Sequence, residues 1–191
     1  RSFDRRMPEE INRLVADRLS DLLFTTDEIA DRNLRREGVP ESSIRRVGNI
    51  MIDTLEQNRE RAQALGLEAI VNSNLAAGAA ARQAIDMNKG YAVVTLHRPS
   101  NVDDPPALES LVDFFTREAA KAMPLLWTFH PRTRKQMESA GLWRKVADCP
   151  GLLPLEPLGY LEMLKLNLGA RIVLTDSGGV QEECCVLGTP C

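Results

Sequence analysis

Short unbroken apolar runs take turns along this chain with longer stretches in which apolar residues recur every third or fourth position. The first pattern suits buried strands and the second amphipathic helices. From Pro8, PEEINRLVADRLS puts Ile11, Leu14, Val15 and Leu19 on one helical face. Pro8 suits the first position of that helix, and Glu9 and Glu10 its first turn. Residues 22–26 predict a short buried strand. Asp27 is placed to cap a helix over 28–37, with Gly38 as its stop. IRRVGN, within 42–49, is extended, and residues 51–64 read as a long charged helix. Between Gly66 and Lys89 the pattern fades. The tract LAAGAAARQAI there is helical in composition and weakly amphipathic, and reads as a bridge between two lobes.

From Gly90 the alternation sharpens. Strands are predicted at 91–96, 125–129, 152–155 and 171–175. Helices follow at 105–123, at 134–140 with Gly141 as stop, at 161–168 with Gly169 as stop, and at 180–187 with Gly188 as stop. Loops lie between: His97-Arg98-Pro99-Ser100-Asn101, His130-Pro131-Arg132-Thr133, the segment ending at Tyr160, and Thr175-Asp176-Ser177-Gly178-Gly179. This order predicts an α/β fold of parallel βαβ units in a doubly wound sheet. Such sheets bind ligands beyond the carboxyl ends of their strands.

Chemistry-bearing residues gather at those ends. Strand, SGG turn and helix at 171–187 would point backbone N–H groups and a helix N-terminus at an anion. Gly178 and Gly179 lack a Cβ, so a diphosphate could approach the main chain, and Ser177 adds a hydroxyl. One turn into the helix, Glu182 or Glu183 could accept hydrogen bonds from a ribose diol. A bare SGG also serves as a purely structural strand-to-helix turn. The chain has 2 histidines. Each directly follows a predicted strand, in VVTLHRP and LWTFHPR. On parallel strands His97, His130, Tyr160 and Ser177 would share one rim, where an imidazole can donate to phosphate or carry a proton. The plainer reading is two structural caps. No third ligand stands at metal spacing, which disfavours zinc. Glu9 and Arg13, four apart on a helix, suit either a surface ion pair or a general acid–base whose charge Arg13 sets.

Composition narrows the setting. A net charge of −3 gives no reason to expect nucleic acid or an anionic membrane as partner. No apolar run reaches membrane-spanning length. The 4 cysteines do not form a disulfide framework; reduced, mostly buried thiols in a cytoplasmic protein are expected. The chain opens on Arg1 and stops at Cys191 where a strand should begin, so it reads as an internal piece of a longer protein.

With these residues assembled, the chain resembles the non-hydrolysing UDP-N-acetylglucosamine 2-epimerases along nearly its whole length. RSFDRRMPEEINR, SDLLF and VGNIMID look like that family's first lobe; VTLHRPSN, TFHPRT and TDSGGVQEE with LGTP look like its second. The resemblance implies two Rossmann-like lobes of glycosyltransferase B type, both incomplete here. Residues 1–52 would end the first lobe, 53–89 connect, and 90–191 form the UDP-binding lobe. It implies interconversion of UDP-N-acetylglucosamine and UDP-N-acetylmannosamine by elimination and re-addition of UDP, with no cofactor or metal. It also implies a homodimeric parent that serves cell-surface polysaccharide synthesis.

By the same resemblance Glu9, Arg13 and His97 are catalytic. Ser177, Gly178 and Gly179 meet the diphosphate, and Glu183 holds the ribose. Arg98 and His130 match substrate or activator positions, although HRPSN stands where HRREN is common. A catalytic glutamate before Arg1 and a UDP-contacting arginine after Cys191 would lie outside the chain, which by itself is expected to be inactive. A hydrolysing epimerase, a glycosyltransferase of the same architecture and a non-catalytic UDP-sugar sensor remain as alternatives.

Overall fold

A computed structural model describes residues 4–79, 87 and 90–191. In the alanine-rich tract the described part, residues 75–79, is not the expected helix: Leu75 bridges to Leu155 and the chain turns at Ala77 and Gly78, while residues 80–85 lie outside the described residues. The chain divides into two compact units, Arg1–Thr54 and Leu55–Cys191.

The first unit carries α1 (Pro8–Leu19), β1 (Leu23–Thr25), α2 (Glu28–Arg36), β2 (Ile44–Arg46) and the start of α3 (Ile50–Gln63). β1 and β2 pair in parallel, Leu23 opposite Ile44. Leu23, Leu34 and Ile44 form a small core, with Val39 packed against it. Asp27 caps α2 by accepting from the Ala30 amide at 2.9 Å. Gly38, at φ 82°, takes the left-handed turn that ends the helix. A buried polar link joins the pieces: Asp31 accepts from the Thr25 hydroxyl and, at 2.6 Å, from Arg46 Nη2.

The apolar stripe of α1 is where expectation and structure part. Ile11, Val15 and Leu19 are 42%, 54% and 79% exposed, and the buried residue of α1 is Glu10. Periodicity reveals which residues share a face, not what covers that face. Here α2 packs on both strands, and α1 instead commits a charged side chain to the unit through Arg13.

The second unit begins within α3 and continues through α4 (Leu67–Ser73), β3 (Ala92–Thr95), α5 (Pro99–Val102), α6 (Pro105–Phe114) and α7 (Ala120–Ala122). It ends with β4 (Leu125–Thr128), α8 (Pro131–Ser139), α9 (Trp143–Ala147), β5 (Leu152–Leu155), α10 (Tyr160–Gly169), β6 (Ile172–Thr175) and α11 (Gly178–Leu187). The four strands are parallel in the order β5-β4-β3-β6.

Side-chain alternation explains the layers. Ala92, Val94, Leu125, Trp127 and Leu152 face one core with Leu108, Val112, Met137 and Val146 from α6, α8 and α9. Val93, Leu126, Leu153 and Val173 face the other, with Ile70, Leu166 and Cys184 from α4, α10 and α11. On that second side Leu55 and Ala62 of α3 also pack with Leu164. Strands buried on both faces read as unbroken apolar runs, which is why they stood out in the sequence. Asn74 to Ala76 runs along the free edge of β5, with Ala76 N donating to Pro154 O at 2.9 Å and Glu156 N to Asn74 O at 2.8 Å. That covers an otherwise open strand edge.

Several boundaries differ from expectation. Pro99 and Pro131 each start a helix rather than sit in a loop, because proline's fixed φ and missing N–H suit the first helical position. The helix expected at 105–123 is a continuous helical run whose middle, Phe115–Ala119, widens into a π turn. α4 and α9 were not anticipated. Of the cysteines, Cys149 and Cys184 are buried but Cys185 and Cys191 are exposed, so only half meet the expected burial. Burial pushes the Cys184 thiol up to about 12, which keeps it protonated.

Candidate active site

Strand order places the site. The chain lays down β3, β4 and β5 in one direction and then returns to place β6 on the other flank of β3. At such a reversal the loops after β3 and β6 diverge and leave a crevice at their carboxyl ends. An open cavity of about 220 Å³ lies there, lined by residues that include Thr95, His97, Thr128, His130, Ser177 and Val180.

β3 carries His97 to this rim. Its Nδ1 lies 3.0 Å from Asp176 Oδ1, and its side chain is 40% exposed. β4 carries His130, whose ring centroid is 5.8 Å from that of His97. His130 is also the N-cap of α8, its Nδ1 accepting from the Arg132 amide at 3.2 Å. A neutral His130 therefore has its proton on Nε2 and can donate from there. The structural reading of this histidine and its place at the cavity hold together.

β6 leads into the SGG turn. Ser177 N donates to Thr175 Oγ1 at 3.0 Å, and Ser177 Oγ accepts from Val180 N at 3.4 Å as the N-cap of α11. Gly178 and Gly179 form the first turn of that helix, and Gly188 closes its far end at φ 72°. A Cβ built on Gly178 would meet no protein atom within 4 Å, so the space beside it is open to a ligand. The positive end of the α11 dipole and its first-turn amides suit an anion.

Glu183 lies one turn into α11. Burial raises its carboxyl above the ordinary 4.5, and a hydrogen bond from Tyr160 offsets part of the rise. Tyr160, the first residue of α10, is raised in turn by burial, then by the charge of Glu183.

The residue that pattern reading passed over is Asp176. Its side chain is 8% exposed. It accepts from the His97 amide at 3.0 Å, the Arg98 amide at 2.8 Å and Asn101 Nδ2 at 2.9 Å. Burial raises its carboxyl, but the hydrogen bonds from Asn101, Arg98 and His97 outweigh that and leave it below the usual carboxylate range. Arg98, expected at a substrate or activator position, turns its Nε to the Asp176 carbonyl oxygen at 2.8 Å. The sequence held one signal for Asp176, an acid between a strand end and a glycine turn. Only the pairing of β3 with β6 reveals its partners.

In the first unit, Glu9 is exposed and Glu10, its neighbour, is buried. Arg13 binds Glu10 at 3.0 Å, Asp17 at 2.5 Å and Glu37 at 3.1 Å. The expected partner at i−4 is thus replaced by the one at i−3. Glu37, the C-cap of α2, shares the same guanidinium.

A family model described as UDP-N-acetylglucosamine 2-epimerase matches residues 1–191. The chain belongs to the UDP-N-acetylglucosamine 2-epimerase family. It is 40% identical over 193 residues to the UDP-N-acetylglucosamine 2-epimerase of Methanocaldococcus jannaschii, all of this chain aligning with 50% of that one. The crystal structure of that relative in complex with UDP-GlcNAc and UDP superposes with a TM-score of 0.83 at 40% identity over all of this chain. A Pseudomonas aeruginosa UDP-2,3-diacetamido-2,3-dideoxy-D-glucuronate 2-epimerase is 37% identical, with 48% of it covered. The chain thus spans about half the length of the relatives it matches. The likeness bears out the α/β fold with parallel sheets and its glycosyltransferase B type. Among the described residues of this epimerase-family chain, no helix is long and apolar enough to cross a membrane.

Proposed function

We propose that the full-length protein containing this chain interconverts UDP-N-acetylglucosamine and UDP-N-acetylmannosamine without net hydrolysis. The observation that carries this is the cavity shared by His97, His130 and Ser177 at the start of α11, in a chain of this family.

The chemistry fits that equipment. Removing the C2 proton while the C1–O bond to UDP breaks gives a C1=C2 double bond in 2-acetamidoglucal. UDP then returns to C1, and a proton is delivered to the opposite face of C2. Charge gathers on the departing diphosphate, where a helix N-terminus and fixed donors stabilise it without reorganising. In this reading Ser177, Gly178 and Gly179 receive the diphosphate and Glu183 takes the ribose hydroxyls. His97 moves a proton, a role that typically supplies about 10²–10⁴-fold. Glu9 and Arg13 belong to the same catalysis, while Arg98 and His130 contact substrate or an activating nucleotide sugar. No electrons leave the substrate, so the route needs no redox cofactor.

The parent is further proposed to be a cytoplasmic homodimer that feeds cell-surface polysaccharide synthesis. The isolated 191 residues are proposed to bind UDP weakly and not to epimerise.

Product analysis on the full-length protein tests the reading. UDP-N-acetylmannosamine with UDP still attached supports it. Free N-acetylmannosamine plus UDP replaces it with a hydrolysing epimerase, and transfer to an acceptor sugar replaces it with a glycosyltransferase. The Pseudomonas aeruginosa relative, only slightly less similar, is named for another UDP-linked 2-acetamido sugar epimerised at the same carbon. Turnover of that sugar in preference to UDP-N-acetylglucosamine would move the substrate while keeping the reaction.

A further inference from the structure

We propose that Asp176 is a positioning residue for His97, turning the imidazole so that Nδ1–H faces the carboxylate and Nε2 is left to exchange a proton in the cavity. The inference rests on the epimerase reading for its chemistry, but its geometry stands on the fold alone.

Register creates the contact. β3 and β6 are neighbours with Thr95 opposite Thr175. His97 is two residues beyond that pair and Asp176 one beyond it. Parallel strands carry both past the sheet edge on the same side, at the point where strand order reverses. Two residues 79 positions apart are thereby brought together.

The carboxylate is held before the imidazole meets it. The His97 amide donates to both oxygens at 3.0 Å, and the Arg98 amide donates to Oδ2 at 2.8 Å. Asn101 Nδ2 adds a third anchor on Oδ2 at 2.9 Å. Arg98 Nε clamps the backbone carbonyl of the same residue at 2.8 Å. None of these contacts uses the His97 side chain. They fix the acceptor with Oδ1 toward Nδ1 at 3.0 Å, and the side chain that supplies it is 8% exposed. Such a carboxylate stays ionised, and an ionised carboxylate accepts and never donates. The ring nitrogen beside it must therefore carry the proton in the neutral imidazole.

A histidine with Nδ1–H engaged has its lone pair on Nε2, so it can take a proton from carbon. The carboxylate then steadies the imidazolium that forms, without itself being protonated. When the proton passes on, the imidazole returns to the same tautomer. His130 is held the opposite way, with Nδ1 accepting from a backbone amide and Nε2 left to donate. The two imidazoles at one rim are thus set as acceptor and donor. If Asp176 served only to tie the β3 and β6 loops together, its amide contacts would suffice and His97's tautomer would be indifferent to it. That difference is measurable.

The test uses the full-length protein labelled with ¹⁵N, with the His97 signals assigned by their loss in His97→Gln. At about pH 8.5, where an ordinary imidazole is neutral, His97 should appear as the Nδ1–H tautomer. Asp176→Asn should shift it to Nε2–H or a mixture. The same variant should lower kcat by about 10²–10⁴-fold, the range of a positioned acid–base group, with KM for the UDP-sugar changed less than about threefold. Asn101→Ala, which loosens but keeps the carboxylate, should give an intermediate loss. A folded Asp176→Asn protein that retains the Nδ1–H tautomer and wild-type kcat would overturn the proposal. If that variant does not fold, the wild-type spectrum decides alone, since an Nε2–H tautomer there overturns it too. A wild-type protein with the Nδ1–H tautomer but no epimerase turnover would support the positioning contact and count against the epimerase reading.

Discussion

His97 and His130 stand with their ring centroids 5.8 Å apart, each just past the end of one of two neighbouring parallel strands. The spacing follows from strand pairing, since β3 and β4 are adjacent with Val94 opposite Trp127. Two imidazoles side by side at an open rim, next to the N-terminus of α11, make a place where an anion and a proton can be handled together.

Two glycines make the first contrast. A Cβ on Gly178 meets open space, whereas a Cβ on Gly151 would strike the Ala120 carbonyl oxygen. Gly151→Ala should therefore destabilise the protein by about 1–3 kcal/mol, the usual cost of overpacking. Gly178→Ala should leave stability within about 0.5 kcal/mol yet weaken UDP binding several-fold, because the methyl occupies ligand space. Thermal melts and calorimetry with UDP check both halves. Unchanged UDP affinity in Gly178→Ala would remove the diphosphate from this turn.

Tyr160 is the hydrogen-bond donor that works against burial at Glu183. Burial raises that carboxyl, and the Tyr160 hydrogen bond lowers it part of the way back. A ribose diol donates more strongly to the ionised carboxylate than to the protonated carboxyl, so affinity should be highest above the Glu183 pKa and weaken as pH falls through it. Tyr160→Phe removes the lowering contribution and should move that acid limb to higher pH. UDP affinity measured across mildly acidic pH gives the answer. A limb that stays in place, or moves down, contradicts the pairing.

Asp31 sets part of the acid stability of the first unit. Hydrogen bonds from Thr25 and Arg46 hold its carboxyl below the ordinary 3.8. Between the folded and unfolded values the folded protein binds fewer protons, so stability rises with pH across that window. The contribution is complete above the unfolded pKa and is lost as pH falls through the lower folded one. Asp31→Asn should thus show a flatter acid limb than wild type in melts taken below about pH 4. Parallel limbs would show that Asp31 is not the group responsible.

Much of this arrangement was legible beforehand, for identifiable reasons. Val93, Leu126, Leu153 and Val173 lie in strands buried on both faces, and such strands announce themselves as apolar runs. Gly38, Gly141 and Gly188 adopt φ of 82°, 68° and 72° where helices were expected to stop. Ser177 lies where the strand–turn–helix pattern put it. What sequence could not supply was lateral order. Asp176 looks like one more loop acid until β6 is known to lie beside β3. Arg13 pairs with Glu10 and also with Glu37, which is remote in sequence. The exposed stripe of α1 shows the same limit, since periodicity names a face and says nothing of its cover.

Glu9 offers a clean separation of folding from catalysis. It is exposed, while the Arg13 cluster relies on Glu10, Asp17 and Glu37. Glu9→Gln in the full-length protein should leave the melting temperature and UDP affinity near wild type and lower turnover by orders of magnitude. Arg13→Ala, which removes the ion pairs to Glu10, Asp17 and Glu37, should instead lower the melting temperature. A Glu9→Gln enzyme with near-normal turnover removes this residue from the reaction.

The most direct test of the account is deuterium entry at C2. The full-length protein is incubated with UDP-N-acetylglucosamine in D₂O, and the sugar protons are followed by NMR. Elimination and re-addition predict loss of the C2 proton signal in step with the appearance of UDP-N-acetylmannosamine, both sugars still joined to UDP. Binding of the nucleotide sugar with the C2 proton fully retained and no second sugar formed would contradict the assignment of this rim to epimerisation.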